Sequence, residues 1–320
     1  MRIRFLFIVN FLFIALNFQS NAQEIYSNSF GDVKNPAIIF LHGGPGFNSI
    51  NFEITTAQVL AEKGYFVIVY DRRGEGRSVD NSAQFTYKQT IDDLHSLFKK
   101  HNIKKASLIG HSFGGIVATK FANTYPDVVS SIIFAAAPIR MQSVFKNIIN
   151  TARPHYEKKK DSMNLKYIAM LEKMDTNSIV YSSYCFSHAM QIGAYSPKKF
   201  LPQAAELYSA FRKDSRSKKA FEMNITAPKG FWKNEQYTLE DLTNEVETLK
   251  KSSLPMYGIY GIDDGLFSSS ELEYIEELLG KHNFHRCENS SHSVFMDTQL
   301  DFLFMIDAWL KKPKSQLEWR

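Results

Sequence analysis

Gly110-His111-Ser112-Phe113-Gly114 decides how this chain is read. The apolar run Ala106-Ser107-Leu108-Ile109 leads straight into it, and Ile116 to Thr124 has helical character behind it. A serine on a sharp turn between a strand and a helix projects its hydroxyl into a cleft. The flanking glycines let chain segments approach without Cβ clashes. The helix that follows aims its first N–H groups at the same place.

Outward from this turn, strands and helices alternate. Ala37-Ile38-Ile39-Phe40-Leu41 reads as a buried strand, Phe52 to Gly64 as a helix with a glycine stop, and Phe66-Val67-Ile68-Val69-Tyr70 as a second strand. Thr86 to His101 is amphipathic, with Ile91, Leu94 and Leu97 on one face, and Val128 to Ala136 is a further strand. Such alternation predicts a mostly parallel sheet covered on both faces, and its strands are continuously apolar accordingly. From 139 to 250 the patterns are helical and aromatic-rich. The β pattern returns at Met256-Tyr257-Gly258-Ile259-Tyr260. A helix around Glu271–Leu279, a strand near Phe284–Cys287 and a helix ending at Leu310 follow. The core is therefore expected at 23–138 and 251–320, with 139–250 as a helical lid over the strand ends, where open α/β sheets bind ligands.

A second glycine-rich loop, His42-Gly43-Gly44-Pro45-Gly46, follows the Ala37–Leu41 run. Acyl transfer needs two N–H donors at the developing oxyanion, and the candidates are the amides of Phe113 and Gly44. With Asp71-Arg72-Arg73-Gly74-Glu75-Gly76-Arg77-Ser78, these motifs resemble the α/β-hydrolase superfamily, and within it the proline iminopeptidase branch. That branch usually carries Gly-Gly-Ser-Trp-Gly at the serine turn. The Gly-His-Ser-Phe-Gly of this chain is the form widespread among esterases.

The resemblance implies an α/β-hydrolase fold and the chain order serine, acid, histidine. The acid is expected in Gly261-Ile262-Asp263-Asp264-Gly265, at Asp264 by the resembling pattern, with Asp263 as the alternative. The histidine is expected at His292, in Asn289-Ser290-Ser291-His292-Ser293. His292 would take the proton of Ser112 while Asp264 fixes its orientation. Asp71 and Arg72 are read as supports for the loops over the site. In iminopeptidase-like relatives, lid carboxylates hold the substrate's free amino group. Glu157, Glu206, Glu222 and Glu235 are available here, and none is assigned.

The first residues have the pattern of an export signal. Arg2 and Arg4 precede an apolar run, Phe5 to Phe18, and Ser20-Asn21-Ala22 offers small residues for cleavage after Ala22. The expectation is a signal peptide at 1–22 and a periplasmic or secreted mature chain without stable membrane insertion. Loss of the two arginines lowers the net charge from +5 to +3, too little to argue for nucleic acid as a partner. An oxidising compartment permits a disulfide between Cys185 and Cys287, though sequence gives no geometry for one. His282, His285 and Cys287 fall short of a metal-ligand set.

The functional expectation is a serine hydrolase working through an acyl-enzyme, with no cofactor and a small-molecule or short-peptide substrate. An N-terminal peptide bond, with proline first, leads on the resemblance. A small-ester hydrolase stands beside it, and a non-catalytic receptor of the same fold is the reading from another class. Dehalogenase and epoxide hydrolase chemistry is disfavoured, because those relatives place an aspartate where Ser112 stands.

Overall fold

The computed structural model describes residues 24–311. The proposed signal peptide lies outside them. Seven strands form one sheet: β1 (Ser27–Phe30), β2 (Ala37–Leu41), β3 (Phe66–Tyr70), β4 (Ala106–His111), β5 (Val129–Ala135), β6 (Met256–Gly261) and β7 (Phe284–Cys287). Their spatial order is β1-β3-β2-β4-β5-β6-β7. Only β1 runs antiparallel, pairing with β3 from Ser27 opposite Tyr70 to Phe30 opposite Val67.

The apolar runs form strands because both faces of the sheet are covered. Ile39 and Leu41 pack into one core with the helices Tyr87–Lys100 and Phe113–Thr124. Ile38 and Phe40 point the other way, toward helical residues 50–62 and the helix Gln299–Leu310. Successive side chains thus serve opposite layers, as the period of a strand requires. Thr86 caps the helix Tyr87–Lys100 by accepting from the Gln89 amide at 3.2 Å.

Between β5 and β6 the chain is helical, from Met141–Lys159 through Ile179–Gln191 and on to Thr243–Lys251. The two ends of this insertion are tied together. The Met141 amide donates to Glu240 O at 2.9 Å and the Leu242 amide to Ile139 O at 2.8 Å. Among the described residues, no helix is long and apolar enough to cross a membrane. Cys185, on a lid helix, and Cys287, on β7, are both buried free thiols, so the pair that composition permitted is not bridged.

Candidate active site

Ser112 sits between β4 and the helix Phe113–Thr124, with φ 51° and ψ −124°. A positive φ on a non-glycine residue is strained, and neighbouring structure must hold it. Here the Ser112 amide donates to Ala135 O of β5 at 3.1 Å, and Ser112 O accepts from the Gly115 amide at 2.9 Å. The glycines of the motif are places of close approach. A Cβ on Gly110 would lie 2.6 Å from Gly115 Cα, and one on Gly114 would lie 2.0 Å from Leu41 O. No side chain fits at either position, so helix, β4 and β2 meet only because both are glycine.

Asp264 and His292, the expected acid and base, lie in loops after β6 and β7. Asp264 is buried, and its Oδ2 lies 2.8 Å from His292 Nδ1. Its other oxygen accepts from the Leu266 amide at 3.0 Å. The adjacent Asp263 turns toward the lid, where it meets the Lys198 amide at 3.0 Å and Lys198 Nζ at 3.1 Å. Of the two candidate aspartates, Asp264 is the one that touches His292. A carboxylate at Nδ1 places the ring proton there and leaves Nε2 with its lone pair.

His111, next to Ser112 in the chain, ties the serine turn to His292. Its Nε2 lies 2.9 Å from His292 O, and the two rings are 4.9 Å apart. The carbonyl only accepts, so His111 carries its proton on Nε2. Burial holds His111 down to about 3, so the ring is neutral. Tyr195 of the lid packs edge-on to His292 at 5.2 Å. No hydrogen bond joins Ser112 to His292 in this geometry; such bonds commonly tighten only around a bound substrate.

The loop after β2 is held by charge. Arg72, buried to 1% exposure, donates through its guanidinium to His42 O and, at 2.6 Å, to Gly43 O. Glu75 neutralises it at 2.8 Å and accepts from the Gly46 amide at 2.9 Å. Burial pushes the Glu75 carboxyl up, against the pull of Arg72. His42 Nε2 accepts from the Arg72 amide at 3.1 Å, so its proton sits on Nδ1, 2.9 Å from Gly43 O. Among the described residues, neither the Gly44 nor the Phe113 amide has a protein acceptor.

Asp71 and Arg72 do not pair with each other. Asp71 accepts from Arg77 Nε at 2.7 Å and from the Ser49 amide at 2.9 Å, stitching the Asp71–Ser78 loop to the residues after Gly46. Burial is the largest single influence on the Asp71 carboxyl and would raise it, but Arg77 and His42 together outweigh it and the net shift is downward. The lid reaches the same loop through Asn224, whose amide donates to Gly46 O at 2.9 Å. It also reaches the loop after β6, with the Gly265 amide on Ala194 O at 2.9 Å. Phe231 and Tyr237 of the lid pack on Phe113 at 5.1 and 5.5 Å.

Glu75 escaped sequence reasoning, although it stands inside a motif that was singled out. Glu157, Glu206 and Glu222 are exposed, and Glu235 accepts from the Tyr87 amide at 2.7 Å. His282 takes no part in a ligand cluster. His285, Cys287 and Asp301 do come together, with His285 Nε2 and Asp301 Oδ2 at 2.9 Å, the spacing of an ordinary hydrogen bond.

A strained serine at a strand–helix turn, with a hydrogen-bonded aspartate and histidine on loops after the last two strands, points to a class of protein. The chain belongs to the α/β hydrolase fold family, whose model matches residues 36–299. It is similar to a proline iminopeptidase of Lacticaseibacillus rhamnosus, 22% identical over 287 residues, which cover 86% of this chain and 89% of that protein. Epoxide hydrolase B of Mycobacterium tuberculosis is 29% identical, over only 40% of this chain and 36% of its own. Among solved structures, a proline iminopeptidase-related protein of Thermus thermophilus superposes with a TM-score of 0.62 at 20% identity, covering 90% of this chain and 93% of that one. A structure from work on carboxylesterases of Nitrososphaera gargenis gives 0.58 at 20% identity, covering 90% and 94%. At these identities the structural likeness establishes the fold.

Proposed function

We propose that this protein is a serine hydrolase in which Ser112 attacks an acyl carbonyl, His292 takes its proton and Asp264 orients His292. The observation that carries the reading is the buried Asp264–His292 pair at 2.8 Å, linked through His111 to the strained serine. The unspent amides of Gly44 and Phe113 are the donors for the oxyanion of each tetrahedral intermediate. Attack by Ser112 Oγ expels the leaving group, which takes its proton from His292. Water then attacks the acyl-enzyme, with His292 as base, and releases the acid.

The substrate class that this geometry supports best is a small uncharged ester. An N-terminal ammonium requires an uncommitted carboxylate beside the serine. Glu157, Glu206 and Glu222 are exposed, Glu235 is spent on Tyr87, Glu240 pairs with Lys120 at 3.0 Å, and Glu75 is neutralised by Arg72. Aromatic rings pack against this region instead, Phe231 and Tyr237 on Phe113 and Tyr195 on His292. Aminopeptidase activity is the second reading, supported by the iminopeptidase similarity across most of the chain.

Hydrolysis of a short-chain nitrophenyl ester and of proline-naphthylamide, each with wild type and Ser112→Ala, tests both. Serine-dependent ester cleavage alone is the expected result. Serine-dependent amide cleavage replaces the ester reading with the peptidase one. Turnover of neither would leave a receptor of the same fold.

A further inference from the structure

Five residues beyond His292, at the end of the short helix Val294–Asp297, stands a carboxylate with 1% exposure that has no part in the chemistry above. Asp297 Oδ2 accepts from the Ser291 amide at 2.8 Å, and Ser291 Oγ lies 2.8 Å from the same oxygen. Asp297 Oδ1 accepts from the Tyr208 hydroxyl at 2.7 Å. Ser291 immediately precedes His292, and Tyr208 stands on the lid helix Pro202–Lys213. Ser291 Oγ is also 2.7 Å from the lid carbonyl Tyr195 O. A hydroxyl has one proton, so Ser291 Oγ serves one of its two acceptors at a time, while its amide donates to Asp297 in either case.

Asp297 thus joins a lid helix to the residue before the base. A buried carboxylate is costly unless hydrogen-bonded, so carboxylate, serine and tyrosine hold one another in place. We propose that Asp297 and Tyr208 are positioning residues: they set the backbone from which His292 projects, and they make the placement of the base depend on a docked lid. The second lid contact acts in the same sense, because Tyr195 touches Ser291 through its carbonyl and His292 through its ring. This inference rests on His292 being the base of the proposed hydrolase.

The test is kcat and KM of the full chain for nitrophenyl acetate, in wild type, Asp297→Asn and Tyr208→Phe, below the melting temperature of each. A misplaced catalytic group loses turnover rather than binding, so kcat is expected to fall about ten- to a hundredfold with KM within about twofold. Labelling of Ser112 by a fluorophosphonate is expected to slow in step. Tyr208→Phe removes one oxygen and no charge, and it carries the test if Asp297→Asn does not fold. The inference is overturned if Tyr208→Phe keeps kcat within about twofold of wild type, or if its loss lies in KM, which would make Tyr208 a substrate contact. A wild type with no Ser112-dependent turnover overturns the hydrolase reading itself, and so separates the two failures.

Discussion

Two neighbouring aspartates, Asp263 and Asp264, differ in everything but their type. Asp264 is buried against His292 Nδ1, and Asp263 is held by Lys198 near the lid surface. Asparagine at the acid of a serine triad keeps the shape, but its amide can favour the wrong imidazole tautomer. Asp264→Asn is therefore expected to lower kcat by about 10³–10⁴ with little change in KM. Asp263→Asn loses only an ion pair whose lysine is exposed and should stay within about twofold in kcat. Ester hydrolysis by the two variants checks this, and equal losses would remove Asp264 from its proposed role.

The element most dependent on its neighbours is the loop after β2. Two of its carbonyls rest on Arg72, and one of its amides rests on Glu75. The pair is fully buried, so removing one partner leaves an uncompensated charge. Arg72→Met is expected to cost about 3–5 kcal/mol of stability in urea unfolding. The double variant Arg72→Met, Glu75→Leu should recover a large part of that loss, because it removes both charges together. Recovery of stability without recovery of ester hydrolysis would be the signature of a pair that shapes the oxyanion loop. A single variant as stable as wild type would show that the loop holds itself.

At the scale of the whole molecule, the packed site makes folding sensitive to acid. His111 is held down to about 3 by burial, against an ordinary value of 6.5. Between those values the unfolded chain binds a proton that the folded chain refuses. Stability therefore falls as pH drops through 6.5 and on toward 3. His42, also buried, is shifted in the same direction by burial and by Arg72. His111→Gln can keep a donor to His292 O while removing the titration. Its melting temperature is expected to fall less steeply than that of wild type between about pH 6.5 and 4, as scanning calorimetry would show. Identical slopes would mean that the acid sensitivity lies elsewhere.

Most strands could be read from the chain because each is a short apolar run with both faces covered. β7 falls on Phe284–Cys287 as expected. β1 was not legible: Ser-Asn-Ser-Phe has no apolar pattern, and it becomes a strand only because β3 offers an unpaired edge. The serine helix begins at Phe113, three residues before its apolar pattern does, because Gly114 and Gly115 carry no periodicity. The serine turn and the glycine loop after β2 were legible for a local reason: a sharp turn and a close approach restrict which residues can occupy them, whereas His292 was expected from the chain order that the resemblance implies. By itself, then, the sequence determined the parallel strands of the sheet, the serine turn and a short set of candidate acids. The Arg72–Glu75 support of the loop and the Asp297–Tyr208 tie were decided only by tertiary structure, as was the contact that sets Asp264, the aspartate favoured by resemblance, against His292 while Asp263 meets Lys198. Each joins segments far apart in the chain or turns on which way a side chain points, and neither burial nor direction across such distances is written in local pattern.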